Sequence, residues 1–422
     1  MRFTGKLSEK GLSVNTALRA IRNLWIIAQL KAPSFAQYTL IPRLQEAKEI
    51  GRLLVRPGLP IYQLQGQRQC GPLTVSYVGF DYSRPLLKSI LFAGAPMERK
   101  VGQIPFWRCR EVADWSSSDI VIVDAVKQLI HKLPCQNAIV LPPHVDHILD
   151  VSGDWQAVKS RFRKSIQNEL RLTRKYGYQY EVSQCDQDFE MFYKDMYLPT
   201  MENRHGALAS PVPIYEARQY FRHGFLFLVK RDGQPVCGSV CYPRQDMLDF
   251  IIAGVIDGDQ QRMKEGAIGA LNCLRICWAN EHGYRAVNFM GTAPYLNMGL
   301  FQQKRHWGTT LSVSRSLQRR LWLGIRHKTP AVSQFLKENP FVVVGEDGKL
   351  DGLIIVDDPS TVSDEARKEW KARYATPGLS SLVIRSVNSF TEKSENDNIP
   401  KLIIPILPQA RAEGNHSDEQ SI

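Results

Sequence analysis

The chain has 422 residues, 43% hydrophobic and 23% charged, which is apolar material for about two to three packed domains and excludes a wholly disordered or fibrous protein. Lys and Arg number 54 against 42 Asp and Glu, a net charge of +12, and from Ser386 to Ile422 six acids face three bases, so the body before it is more basic still. A body this basic suits an anionic partner: a nucleotide-bearing donor, an RNA or an acidic membrane surface.

The eight cysteines form no C-x-x-C pair. A chain of this length has enough core to fold without disulfides, so a reducing, cytoplasmic compartment is expected, with a peripheral position at the inner face of a membrane left open. The apolar run Leu24 to Leu30 is far short of the ~20 residues that a spanning helix needs. It lacks a small-residue cleavage site, which argues against a signal peptide.

In chain order, Ser13 to Leu30 has helical apolar spacing, and Leu73 to Val78 and Ser89 to Phe92 have the composition of short strands. Asp119 to Leu133 puts Val123, Val126, Leu129 and Leu133 on one helical stripe, and Ala138 to Leu141 is a brief strand ended by Pro142-Pro143. From Asp154, residues Trp155, Val158, Phe162, Ile166 and Leu170 predict one long helix with bases on its other faces, closed by Gly177. A strand at Gln179 to Val182 and a helix from Phe189 to Asn203 follow. Phe225 to Val229 and Val236 to Tyr242 are strands joined through Asp232-Gly233, a hairpin signal, and Leu248 to Val255 is a third. A helix through Ala267, Leu271, Leu274 and Trp278 ends at Gly283, and Ala286 to Met290 returns as a strand. After Arg315 the chain stays basic to Lys328. A small unit closes it: strands Phe341 to Val344 and Leu353 to Val356, a helix from Asp364 to Tyr374, and a strand Ser381 to Ile384. The polar end from about Asn388 has a disordered composition.

Two segments carry chemistry. In Asp257 to Ala270, Arg262 and Lys264 precede Gly266, Ala267 and Gly269 at a helix start, where small residues and the helix dipole suit a pyrophosphate. A tight turn with packing glycines is the competing reading, and Glu265 opposes a phosphate. In Val287 to Thr309, a strand ends at Asn288-Phe289, a glycine loop follows, and Gly299-Leu300 precedes Lys304, Arg305 and Trp307-Gly308.

The second segment resembles the "G-(S/T)…GL…FKRxWG" signature of the FemAB-like branch of the GNAT acyltransferases. Arg174-Lys175-Tyr176-Gly177, Arg204-His205-Gly206 and the hairpin at Asp232-Gly233 with Gly238 fit the same order, so the resemblance covers Asp154 to Val313. The chain departs from the pattern at Asn288, where the family often has Asp, and at Gln303, where it has Phe or Tyr. The Arg262-x-x-x-Gly266 turn is one residue longer than the usual acyl-CoA spacing.

The resemblance implies an α/β (α+β) fold of tandem GNAT-like modules with mostly antiparallel sheets flanked by helices. The expected division is 1–152, 153–314, a basic helix and small α/β appendix over 315–387, and a disordered tail over 388–422. It implies transfer of an acyl group to a small-molecule amine acceptor, a cell-envelope or polysaccharide precursor, from acyl-CoA or, alternatively, aminoacyl-tRNA. The tetrahedral oxyanion needs a cation or N–H donors, for which Lys304 and Arg305 are candidates, with Asn288 and Tyr295 beside them. Arg262, Lys264, Gly266, Ala267 and Gly269 would hold the donor. A base must take the amine proton, and Tyr295, Glu202 and His205 are the nearest by sequence.

The competing class is a non-catalytic protein of the same fold that binds RNA or an anionic membrane through its basic helices. No metal is expected: His144-Val145-Asp146-His147 lacks a third ligand at suitable spacing, and Cys237, Cys241, Cys273 and Cys277 are better read as buried apolar residues.

Overall fold

The computed structural model describes residues 57–390 and 401–406, except 81–82, 116, 207–209, 314–318 and 346, together with a few positions between 27 and 53. The helix expected over 13–30 lies almost wholly outside them. The chain is an α/β protein of three sheets flanked by helices.

The first unit runs β1 (Gly58–Arg68), β2 (Gly71–Gly79), α1 (Arg84–Leu91), β3 (Met97–Pro105), β4 (Ile120–Val126), α2 (Lys127–Ile130) and β5 (Ala138–Leu141). Ser89–Phe92 is thus the end of a helix, begun with proline in its first turn, and not a strand. Likewise the stripe within 119–133 is split: Val123 and Val126 belong to β4, whose seven residues are all buried, and Leu129 to the short α2. A strand covered on both faces is apolar at nearly every position, so any period can be found in it.

The second unit begins earlier than expected, because β6 (Val145–Asp150) pairs into its sheet. It continues through α3 (Trp155–Ser160), α4 (Ile166–Lys175), β7 (Gln179–Ser183), α5 (Asp186–Met191), a π-helical turn at Phe192–Tyr197, α6 (Leu198–His205), α7 (Ile214–Arg222), β8 (Phe225–Arg231), β9 (Gln234–Arg244), β10 (Met247–Val255), α8 (Gln260–Lys264), α9 (Ala267–Glu281), β11 (Ala286–Thr292), α10 (Gly299–His306) and β12 (Thr310–Val313). The long helix expected from Asp154 is two helices. Residues 161–165 break it where the Arg163 amide donates to the His306 carbonyl at 2.9 Å. The Arg161 carbonyl packs so close to Gly308 (φ +78°) that a Cβ there would lie 2.1 Å from it. Trp307, 1% exposed, meets Phe162 edge-on at 5.2 Å beside this break. Burying such a ring contributes about 2–3 kcal/mol.

The basic stretch after Arg315 is not a solvated helix. It holds β13 (Arg319–Ile325), which enters the first sheet between β4 and β5, with Arg319 donating twice to the Asp124 carboxylate in the core. The third unit is α11 (Pro330–Glu338), β14 (Phe341–Val344), β15 (Leu350–Val356), α12 (Asp364–Tyr374), β16 (Leu379–Ser386) and β17 (Lys401–Pro405). The last strand lies within the segment expected to be a disordered tail.

The strand orders are β3-β1-β2-β4-β13-β5, β12-β6-β11-β10-β9-β8-β7 and β14-β15-β16-β17. Each sheet is antiparallel except for one internal parallel pair among the described residues: β2·β4, β10·β11 and β15·β16. Such pairs need a crossover, and helices supply it in each unit. The first pair stays in register from Val75↔Ile120 to Gly79↔Asp124, and the third from Gly352↔Leu382 to Val356↔Ser386, after a shift that follows Leu350↔Leu379. The second holds for three residues, Met247↔Ala286 to Asp249↔Asn288, and then its strands part.

Candidate active site

The crack between β10 and β11 is built by local backbone irregularity. Asn288 Oδ1 accepts the Met290 N–H at 2.8 Å, and Met290 takes φ +63°, the left-handed region that a side chain rarely adopts. A register shift follows before Gly291 pairs with Asp146. The carbonyls of Met290 and Gly291 then accept from Lys304 Nζ at 3.0 and 3.1 Å. Lys304 comes from α10 and is partly exposed as a whole.

Burial of the ammonium, then the charge of Arg275, push the Lys304 pKa down to about 7, against an upward pull from Asp146. An ammonium has three N–H donors. Two are spent on the carbonyls, which leaves one for an anionic atom. Arg275 is itself buried, donates to Ser239 Oγ and Asn272 Oδ1, and lies 3.6 Å from the centroid of the Phe250 ring. Desolvation lowers its pKa to about 10. Asp249, at the last position where β10 pairs with β11, is buried and raised by desolvation, yet held by Arg244 at 2.9 Å. Asn288 therefore acts through the backbone it shapes and through its bond to Asp249.

The 144–147 run divides in two. His147 is fully buried, with Nδ1 at 3.0 Å from Thr309 Oγ1 and Nε2 at 2.9 Å from Thr292 Oγ1. Desolvation drives its pKa down to about 3, so it is a neutral strap across β6, β11 and the α10–β12 turn. His144 is part-exposed beside Asp146. No group of three or more metal-ligating residues occurs among the described residues.

A cleft of about 230 Å³ opens between α4, α9 and α10, lined by Glu169, Arg204, Gly269, Asn272, Gln303 and His306 among others. It adjoins the helix that carries Lys304 without including Lys304. The phosphate-cradle residues do not form an open cradle here. Gly266 (φ +85°) caps α9, but a Cβ on Gly269 would lie 1.8 Å from Glu169 Oε2. The small residue thus admits a carboxylate of α4. Arg262 lies 3.5 Å from Asp259, Lys264 is exposed, and Glu265 is bound by Arg231 at 2.7 Å. Ala267 is buried, its carbonyl accepting from Cys237 Sγ.

Arg305 turns away from Lys304. It is 3% exposed, and its guanidinium donates to the carbonyls of Ala372 and Ala375 and to Gln302 Oε1. Arg163 donates to the same two carbonyls at 3.2 and 2.9 Å. Both arginines cap the C-terminal end of α12, where the helix dipole is negative. The third unit also receives Leu296 N–H at Pro340 O and Asn297 Nδ2 at Glu338 O, so it holds α10 and the loop before it from both ends. Tyr295 is sealed in the core against Phe341, ring centroids 5.5 Å apart, its hydroxyl without a partner and its pKa raised by burial. Of the four expected catalytic residues, the structure brings together Lys304 and Asn288 and places Arg305 and Tyr295 in packing roles. Sequence inspection weighed Asp146 only as part of a metal motif and missed Asp249, Arg275 and Glu169; the four come from two strands and two helices apart from the motif.

No family model matches the chain, and no curated protein does. Among solved structures, FemX is similar at 15% identity and a TM-score of 0.38, over 72% of this chain and 96% of that one. L-PGS from Bacillus licheniformis is similar at 14% and 0.32, over 65% and 83%. A probable N-acyltransferase from Enterococcus faecalis V583 is similar at 9% and 0.29, over 87% and 85%. None of these superpositions is close enough to transfer a residue role.

Proposed function

We propose that the protein is an N-acyltransferase: an amine attacks the carbonyl of an activated acyl donor at the crack between β10 and β11, and Lys304 stabilises the oxyanion. The observation that carries this is a desolvated ammonium fixed by two backbone carbonyls with one N–H to spare. Such a donor, held rigidly and away from water, acts where negative charge develops without reorganising. Arg275 adds positive potential at the same point.

The donor is an aminoacyl ester of the aminoacyl-tRNA type or an acyl thioester such as acyl-CoA. Glu169 beside the first turn of α9 favours the former, because a diphosphate there would meet a carboxylate where the helix terminus would otherwise attract it. The acceptor is a small-molecule amine, and the sequence resemblance points to a cell-envelope or polysaccharide precursor. Among the described residues no helix is long and apolar enough to cross a membrane, and the net charge suits anionic substrates or an anionic surface.

The test is amide formation followed by mass spectrometry, with acetyl-CoA and with a charged-tRNA mixture as donors and a panel of amino sugars, peptides and aminolipids as acceptors. Transfer by the natural protein that is lost in Lys304→Met supports the reading. Transfer unchanged in Lys304→Met, or no consumption of either donor class by the natural protein, overturns it.

A further inference from the structure

Acyl transfer to an amine needs a proton acceptor, and of the bases nearest the motif in sequence neither Tyr295 nor Glu202 supplies one. Tyr295 is enclosed in the core and Glu202 is exposed on α6, while the side chain of His205 lies outside the described ones. Asp249 is near enough to interact with Asp146 but is committed to Arg244 and Asn288.

The start of β6 offers another group. Gly291, whose carbonyl holds Lys304 Nζ, has on its other side His144 and Asp146: a Cβ at 291 would lie 2.7 Å from His144 Cδ2 and 3.4 Å from Asp146 Oδ1. His144 Nε2 is 3.7 Å from Asp146 Oδ1. Side-chain exposures of 33% and 20% leave both reachable. Neither ring nitrogen of His144 makes a hydrogen bond within the described residues, whereas both of His147 do. One histidine is therefore spent on structure, and its neighbour three residues earlier is free.

We propose that His144, oriented by Asp146, is the base that accepts the proton of the attacking amine. This rests on the acyl-transfer reading above. The amine nitrogen forms a bond to the acyl carbon as the carbonyl π pair moves to oxygen, where Lys304 donates to it. The ammonium proton passes to the free imidazole nitrogen. Asp146 faces Nε2 and so favours the hydrogen there, leaving Nδ1 to accept. Collapse of the oxyanion restores C=O and breaks the bond to the leaving sulfur or oxygen, which takes the proton from His144. No outside reagent is needed.

The charged groups facing His144 are Asp146, two residues on in β6, and Lys304 from α10, while β11 contributes the uncharged Gly291. Burial and Lys304 lower its pKa and Asp146 opposes them. The neutral form required of a base is thereby the prevailing one at neutral pH.

The experiment is a pH profile of kcat/KM on the full chain for the natural protein, His144→Gln, Asp146→Asn, and His144→Ala with added imidazole. Thermal melts confirm folding of each. His144→Gln is expected to lower kcat on the order of 100-fold with donor KM within about twofold, and to abolish the acid limb of the profile. Imidazole should restore part of the His144→Ala rate. Asp146→Asn should move the acid limb to lower pH, since it removes the charge that holds the His144 pKa up. A His144→Gln protein that keeps both rate and acid limb, while Lys304→Met is inactive, overturns the proposal and leaves the acyl-transfer reading standing. A natural protein inactive with both donor classes overturns both.

Discussion

Replacing Lys304 with Met separates catalytic from structural use of this side chain, because the two predict opposite effects on stability. The folded pKa of about 7 lies well below the 10.5 of a free lysine. Between those values the unfolded chain binds a proton that the folded chain does not, so stability rises with pH through that window, and below it the folded protein carries the full cost of a desolvated cation. At about 1.4 kcal/mol per unit the ceiling is near 5 kcal/mol, and partial exposure reduces it to about 2–4 kcal/mol. Part is returned by the two carbonyl hydrogen bonds. Lys304→Met should therefore melt at or above the temperature of the natural protein at pH 6.5, while transfer falls by about 10²–10³, the loss of one oxyanion donor. Competitive labelling with acetic anhydride, read peptide by peptide, should place the half-titration of Lys304 near 7. Half-titration near 10.5, or a melting point several degrees lower in the Met variant, would refute the reasoning and make Lys304 a packing residue.

Glu169→Ala removes the carboxylate at the first turn of α9; acetyl-CoA should then bind more tightly, measured by calorimetry, and unchanged or weaker binding would mean that Glu169 does not guard that terminus. Arg305→Ala should cost about 2–3 kcal/mol in urea unfolding by leaving the α12 carbonyls to Arg163, and Arg305→Lys should restore little because an ammonium cannot fork across them. His147 is neutral in the folded state with a pKa near 3, so its contribution is present above about 6.5 and is lost as pH falls toward 3, at up to about 1.4 kcal/mol per unit. His147→Gln should flatten the acid side of the stability profile, and an unchanged slope would show that another group titrates there.

Much of the second unit was legible because its signals are local. The hairpin at Asp232-Gly233 needs two residues of positive φ, found at +52° and +75°, and α9 ends at Gly283 with φ +76°. Lys304 was found through a motif that lies within one loop and helix. Misreadings arose where burial erased the period, as in β4, or where a distant partner decided the local structure. The break at 161–165 depends on α10, and β13 is a strand because β4 and β5 leave room between them for Arg319 to reach Asp124.

Turn residues and apolar spacing, which are properties of neighbours along the chain, therefore determined the α/β class, while the family resemblance singled out Lys304 without placing it on a helix. The tertiary structure decided which of three parallel strand pairs opens and which of two adjacent arginine and lysine side chains faces that opening. It also decided which of two histidines is free. Those outcomes depend on register, burial and hydrogen-bond partners contributed by other elements, 67 positions away for Arg305 and Ala372 and 162 for His147 and Thr309, and no local pattern encodes them.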